Sequence, residues 1–68
     1  MLKKHSITLM GHKTSISIEQ EFWLELKNIA EQENKSMNEI ITSIDISKKS
    51  SNLSSAIRIF VLNYLKNN

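Results

Sequence analysis

No cysteine occurs anywhere in this 68-residue chain, so no disulfide can brace it. Chains this short bury too little apolar surface to be comfortably stable on one core. A Cys/His metal cluster is excluded as a substitute brace, because the only candidate soft ligands are His5 and His12 and two histidines do not fill a site. Oligomerisation is the stabilising device that remains. Glycine and arginine are almost absent as well, with Gly11 and Arg58 the single examples. No apolar run approaches the roughly 18 residues that cross a bilayer, and the N-terminus lacks the uninterrupted apolar core of a signal peptide. The expectation is a cytoplasmic chain with no membrane partner. Catalytic signatures are missing too: there is no Gly-rich phosphate loop, nucleophile elbow or helical His-Glu motif. The sequence therefore implies no enzyme, no cofactor, no metal and no small-molecule substrate.

The charge is distributed unevenly although the net value is only +2. Residues 1–18 carry Lys3, Lys4 and Lys13 and no acid. All seven acids lie between Glu19 and Asp45, against Lys27 and Lys35, and the remainder holds Lys48, Lys49, Arg58 and Lys66 with no acid. A cationic N-terminal segment beside an acidic middle suggests that one end of the molecule meets a polyanion.

Two segments alternate with a period of two. Residues 13–18, Lys-Thr-Ser-Ile-Ser-Ile, place Thr14, Ile16 and Ile18 on one face and Lys13, Ser15 and Ser17 on the other. Residues 3–9 alternate through Ile7 and Leu9, so residues 1–12 are either a basic arm or an extra strand. The intervening Met10-Gly11 is neither the Asn-Gly of a type I′ turn nor the Gly-first pattern of type II′. The expected partner of the 13–18 strand is therefore its own copy in a second chain, since an isolated strand leaves both edges unpaired.

Helical periodicity begins after the strand. Phe22, Leu26, Ile29 and Ala30 form an apolar stripe in a first helix over 19–34, broadened by Trp23, with Asn34 suited to the left-handed conformation of a helix terminus. Ser36-Met37-Asn38-Glu39 is a capping box that opens a second helix within 36–46, ahead of Ile40, Ile41 and Ile44. Residues 47–52 read as a polar loop. In the third helix, 53–66, Leu53, Ala56, Ile57, Phe60, Val61, Tyr64 and Leu65 make a stripe, while Ile59 and Leu62 extend the apolar surface beyond it. A body this small cannot cover both faces, which again implies a dimer.

In this order the strand Lys-Thr-Ser-Ile-Ser-Ile-Glu, the Phe22-Leu26-Ile29-Ala30 stripe and Lys35-Ser36-Met37-Asn38-Glu39-Ile40 resemble the ribbon-helix-helix family of Arc/MetJ-type bacterial DNA-binding proteins. Residues 52–62, with the opening Lys-His-Ser-Ile-Thr and the Glu-Phe-Trp, are similar to a subgroup of short bacterial members that carry a third helix. The resemblance implies a single mainly α domain with a short β-ribbon, an intertwined homodimer with antiparallel intersubunit strands and an extra C-terminal helix.

It further implies sequence-specific binding of double-stranded DNA, with the ribbon in the major groove, and a role as a transcriptional repressor. On this reading Lys13, Ser15 and Ser17 meet base edges. Free N–H groups at Met37 and Asn38, with Ser36 and Lys35, hold a phosphate, and Lys3 and Lys4 add backbone contacts. The alternative is an antitoxin or other protein-binding module that seats the third helix in a toxin or other partner. Antitoxins of the family usually carry a disordered tail, and with Asn68 three residues past the last stripe position no such tail is expected.

Overall fold

A computed structural model describes residues 1–49 and 51–67 and contains a two-stranded sheet followed by three helices. Strand β1 (Leu2–Leu9) pairs antiparallel with β2 (His12–Glu19) in one unbroken register, from Leu2 opposite Glu19 to Leu9 opposite His12. The strand for which the sequence called in a second copy is thus paired along its length within its own chain.

The turn explains why the sequence undersold this hairpin. Met10 and Gly11 both have positive φ, +50° and +84°, as a type I′ connection requires. Glycine takes that conformation without strain, whereas Met10 does so at a cost of roughly 1–2 kcal/mol. An eight-residue ladder with Ile7, Ile16 and Ile18 packed on the helices offsets that cost. Thr14, expected to continue the buried row, is exposed near the turn.

Helix α1 (Gln20–Gln32) follows β2 without a loop, with Glu19 extended at its N-cap. It ends two residues before the expected Asn34. Asn34 sits just past its end at φ +56°, and the N–H groups of Asn34 and Lys35 donate to the carbonyls of Glu31 (3.1 Å) and Ala30 (2.9 Å). This is a Schellman closure with Asn in the left-handed position that glycine usually fills. Helix α2 (Met37–Ser47) starts at the capping box: the Glu39 N–H donates to Ser36 Oγ (3.1 Å), and the Ser36 N–H donates to Glu39 Oε1 (2.8 Å).

Asn52 caps α3 (Leu53–Lys66) by accepting from the Ser55 N–H. The polar loop expected at 47–52 begins one residue later than expected, and its Ser50 lies outside the described residues.

The core lies where the hairpin's inner face meets all three helices. Ile18, Leu26, Ile41 and Ile57 are fully enclosed, and Ile29, Ile40 and Val61 nearly so. Each such side chain contributes about 1.5–3 kcal/mol of burial. Helix α3 is tied to the sheet and to α1 at both ends. Ser54 Oγ donates to the Ser17 carbonyl (2.9 Å), Arg58 Nε pairs with Glu19 (2.7 Å), and the Tyr64 hydroxyl lies within hydrogen-bond distance of Gln32 and Glu33. Arg58 holds the Glu19 carboxyl below the usual carboxylate range. No helix among the described residues is long and apolar enough to cross a membrane.

Candidate nucleic-acid interface

Alternation along a paired ribbon sorts its side chains onto two faces. Lys3, His5, Ile7 and Leu9 of β1 share a face with Thr14, Ile16 and Ile18 of β2, the face that carries the buried isoleucines. The opposite face carries Lys4, Ser6 and Thr8 from β1 and Lys13, Ser15 and Ser17 from β2. The cross-strand pairs there are Lys4–Ser17, Ser6–Ser15 and Thr8–Lys13. All but Thr8, which is half-buried, are exposed. Four hydroxyls and two ammonium groups thus stand on a surface with no large apolar side chain. Such groups donate to or accept from base edges, and lysine also meets phosphate.

The sequence-based candidates divide on this frame. Lys13, Ser15 and Ser17 stand on the outward face in one row. Lys4 joins them, whereas Lys3 is on the other face of the ribbon, opposite Ile18, and exposed there. Asn38, from the first turn of α2, borders the same shallow depression as Lys4, Ser6, Thr8, Lys13 and Ser15. The start of α2 is thereby brought alongside the ribbon. Lys35 shares a second, open depression with Asn38 and Glu39.

At the start of α2 the chemistry is mixed. The first N–H groups of a helix attract anions, and among the described residues those of Met37 and Asn38 have no protein acceptor, unlike those of Ser36, Glu39 and Ile40. The Ser36 hydroxyl accepts from Glu39 and keeps its own proton for donation. However, the Glu39 carboxylate is held below its usual pKa by the Ser36 backbone and hydroxyl bonds and stays anionic there. A phosphate at this end meets Lys35, Asn38 and two free N–H groups on one side and a fixed negative charge on the other.

Ser6 and Thr8 were missed by the sequence reading. A signal for them exists: residues 4–8 are Lys-His-Ser-Ile-Thr and residues 13–17 are Lys-Thr-Ser-Ile-Ser, the same polar-apolar pattern twice. The setting of His5 has no signal in the sequence. Its ring stacks on Trp23 with centroids 3.8 Å apart and planes 9° from parallel. Its Nε2 is enclosed without a partner among the described residues, and desolvation, aided by Lys3, pushes its pKa down. The pair clamps β1 to α1 behind the outward face.

No cluster of three or more potential metal ligands occurs among the described residues. A family model described as a ribbon-helix-helix domain matches residues 2–65. No curated protein and no solved structure matches the chain.

Proposed function

Since the chain belongs to the ribbon-helix-helix domain family, whose members are generally DNA-binding transcription regulators, we propose that it acts as a homodimeric, sequence-specific repressor. The observation that carries this reading is the outward hairpin face, a polar, cationic ribbon on which Lys13, Ser15 and Ser17 stand in one exposed row. A B-DNA major groove is about 12 Å wide and admits a two-stranded ribbon. Small hydroxyl side chains let the strand backbone approach the bases, and Lys13 reaches guanine O6 and N7 or a phosphate. Lys4 and the Lys35–Asn38 end of α2, beside the ribbon, serve as phosphate contacts that set position without reading sequence. The dimer is supported by α3, whose Ile59, Leu62 and Leu65 are all about half exposed or more.

Selection of bound sequences from a random DNA pool at a stated salt concentration tests the proposal. The wild-type chain should enrich a defined site, with affinity falling steeply as salt rises through counterion release. Replacing Lys13, Ser15 and Ser17 together by Ala should abolish the enrichment while leaving the fold intact. Unchanged enrichment by the triple variant would refute the reading role of β2.

A second reading, docking of a different protein along α3, draws on the groove between α2 and α3 lined by Ile44, Ala56, Ile59 and Phe60. Sedimentation equilibrium separates the two. A dimer that Ile59 and Leu62 variants dissociate assigns this face to the second copy, and a monomer leaves it to another protein.

A further inference from the structure

We propose that each chain presses both of its strands onto the bases, so that Ser6 and Thr8 of β1 select sequence alongside Ser15 and Ser17 of β2. The inference rests on the DNA-binding reading above and extends it to a strand that reading leaves out.

The first observation is the repeated segment. Lys4-His5-Ser6-Ile7-Thr8 and Lys13-Thr14-Ser15-Ile16-Ser17 each send a lysine and two hydroxyl residues to the outward face and an isoleucine to the core. The antiparallel register places Ser6 opposite Ser15, sets Lys4 and Lys13 at diagonal corners, and leaves Thr8 and Ser17 at the other two. A two-fold axis through the Ser6–Ser15 pair therefore exchanges Lys4 with Lys13, Ser6 with Ser15 and Thr8 with Ser17. A symmetric reading ribbon, which the sequence alone required two copies to build, is complete in chemistry within one chain.

The second observation is one of scale. Neighbouring strands lie about 4.8 Å apart, and facing side chains on one surface about 4.5–5.5 Å apart. Both distances are well below the roughly 12 Å of the major groove. A ribbon that rests the β2 row on base edges therefore carries the β1 row into the same groove. Neither the Ser6 nor the Thr8 hydroxyl has a protein partner among the described residues, so both are free to bond to bases.

The test compares three full-length proteins in the same random-pool selection at one salt concentration: wild type, Ser6→Ala with Thr8→Val, and Ser15→Ala with Ser17→Ala. Valine keeps the β-branched shape of Thr8 while removing its hydroxyl. Each double variant should melt as the wild type does and lose discrimination for the wild-type site by on the order of tenfold.

The inference is overturned if the β1 variant enriches the wild-type site as sharply as wild type does. Weaker binding to all sequences with an unchanged preference overturns it too, because that is the signature of a phosphate contact. A second pair, Ser6→Thr with Thr8→Ser, retains both hydroxyls and guards against loss of fold; a shifted preference supports the inference and an unchanged one opposes it. If β2 substitution alters the preference and β1 substitution does not, only this inference falls. If wild type enriches nothing, the DNA-binding reading falls first.

Discussion

The outward face of the hairpin and the outer face of α3 are both open to solvent, yet their chemistry is opposite. The first presents hydroxyls and lysines on a regular ribbon, with Asn38 at its border. The second presents Ile59, Leu62 and Leu65 at three-residue intervals on a helix. Polar groups on a flat, cationic surface stay hydrated at little cost and exchange water for bases or phosphates. An exposed apolar stripe gains only by meeting another apolar surface. On the function proposed above, the difference separates two tasks in one small body: contact with nucleic acid on the sheet side and contact with protein on the α3 side.

The sharpest test of this division is within α3 itself. Ile57 is fully buried, so Ile57→Ala should lower stability by about 2–5 kcal/mol in a denaturant melt. Substituting Ile59 and Leu62 by Ser should move stability by no more than about 0.5 kcal/mol per site through the fold of one chain. It should nevertheless convert a dimer to a monomer by sedimentation equilibrium. If the second pair destabilised the monomer as much as Ile57→Ala, the outer face would be core rather than contact surface.

A smaller effect is expected beside the ribbon. Ser36→Ala removes the hydroxyl half of the α2 capping box and should cost about 1 kcal/mol. The Glu39 carboxyl is depressed below 4.5 by its bonds to Ser36. Its contribution is therefore present above pH 4.5 and lost as pH falls through the folded value. Acid titration of the wild type should show this loss, and Ser36→Ala, which keeps the Ser36 backbone N–H bond to Glu39, should diminish it in part. An identical acid profile in both proteins would remove the capping box from the account.

The smallest effect concerns the support behind the reading face. His5 is favoured neutral in the folded state because its pKa is pushed below 6.5. Its contribution to stability is present above pH 6.5 and declines as pH falls toward the folded value, because the unfolded chain binds the proton first. With His5 stacked on Trp23, the single tryptophan should report this titration as a fluorescence change below pH 6.5. His5→Phe should abolish the change while keeping the stack. A Trp23 signal that titrates identically in His5→Phe would assign it to another group.

Much of this division was legible in the sequence, and for physical reasons. The 3.6-residue spacing of Leu26, Ile29 and Ala30, and of Ile57 and Val61, marks helix faces that must be buried. Ser36 and Glu39 make an explicit helix start, and Asn34 a stop. The sides taken by Lys13, Ser15 and Ser17 follow from alternation alone, whatever strand lies beside them. The pairing of β1 with β2 was less legible because it depends on Met10 accepting positive φ, an uncommon choice that only the ladder beyond it makes worthwhile. The separation of Lys3 from Lys4 was hidden for the same reason: until β1 is a strand, adjacent lysines have no opposite faces. The place of Asn38 beside the ribbon is tertiary and has no local signature.

The central claim is that the hairpin face enters the major groove, and methylation interference on the enriched site tests it most directly. Dimethyl sulfate modifies guanine N7 in the major groove and adenine N3 in the minor groove. The account predicts that methylated guanines within the site are excluded from the bound fraction while methylated adenines are retained. Exclusion of the adenines with tolerance of the guanines would place the protein in the minor groove and contradict it.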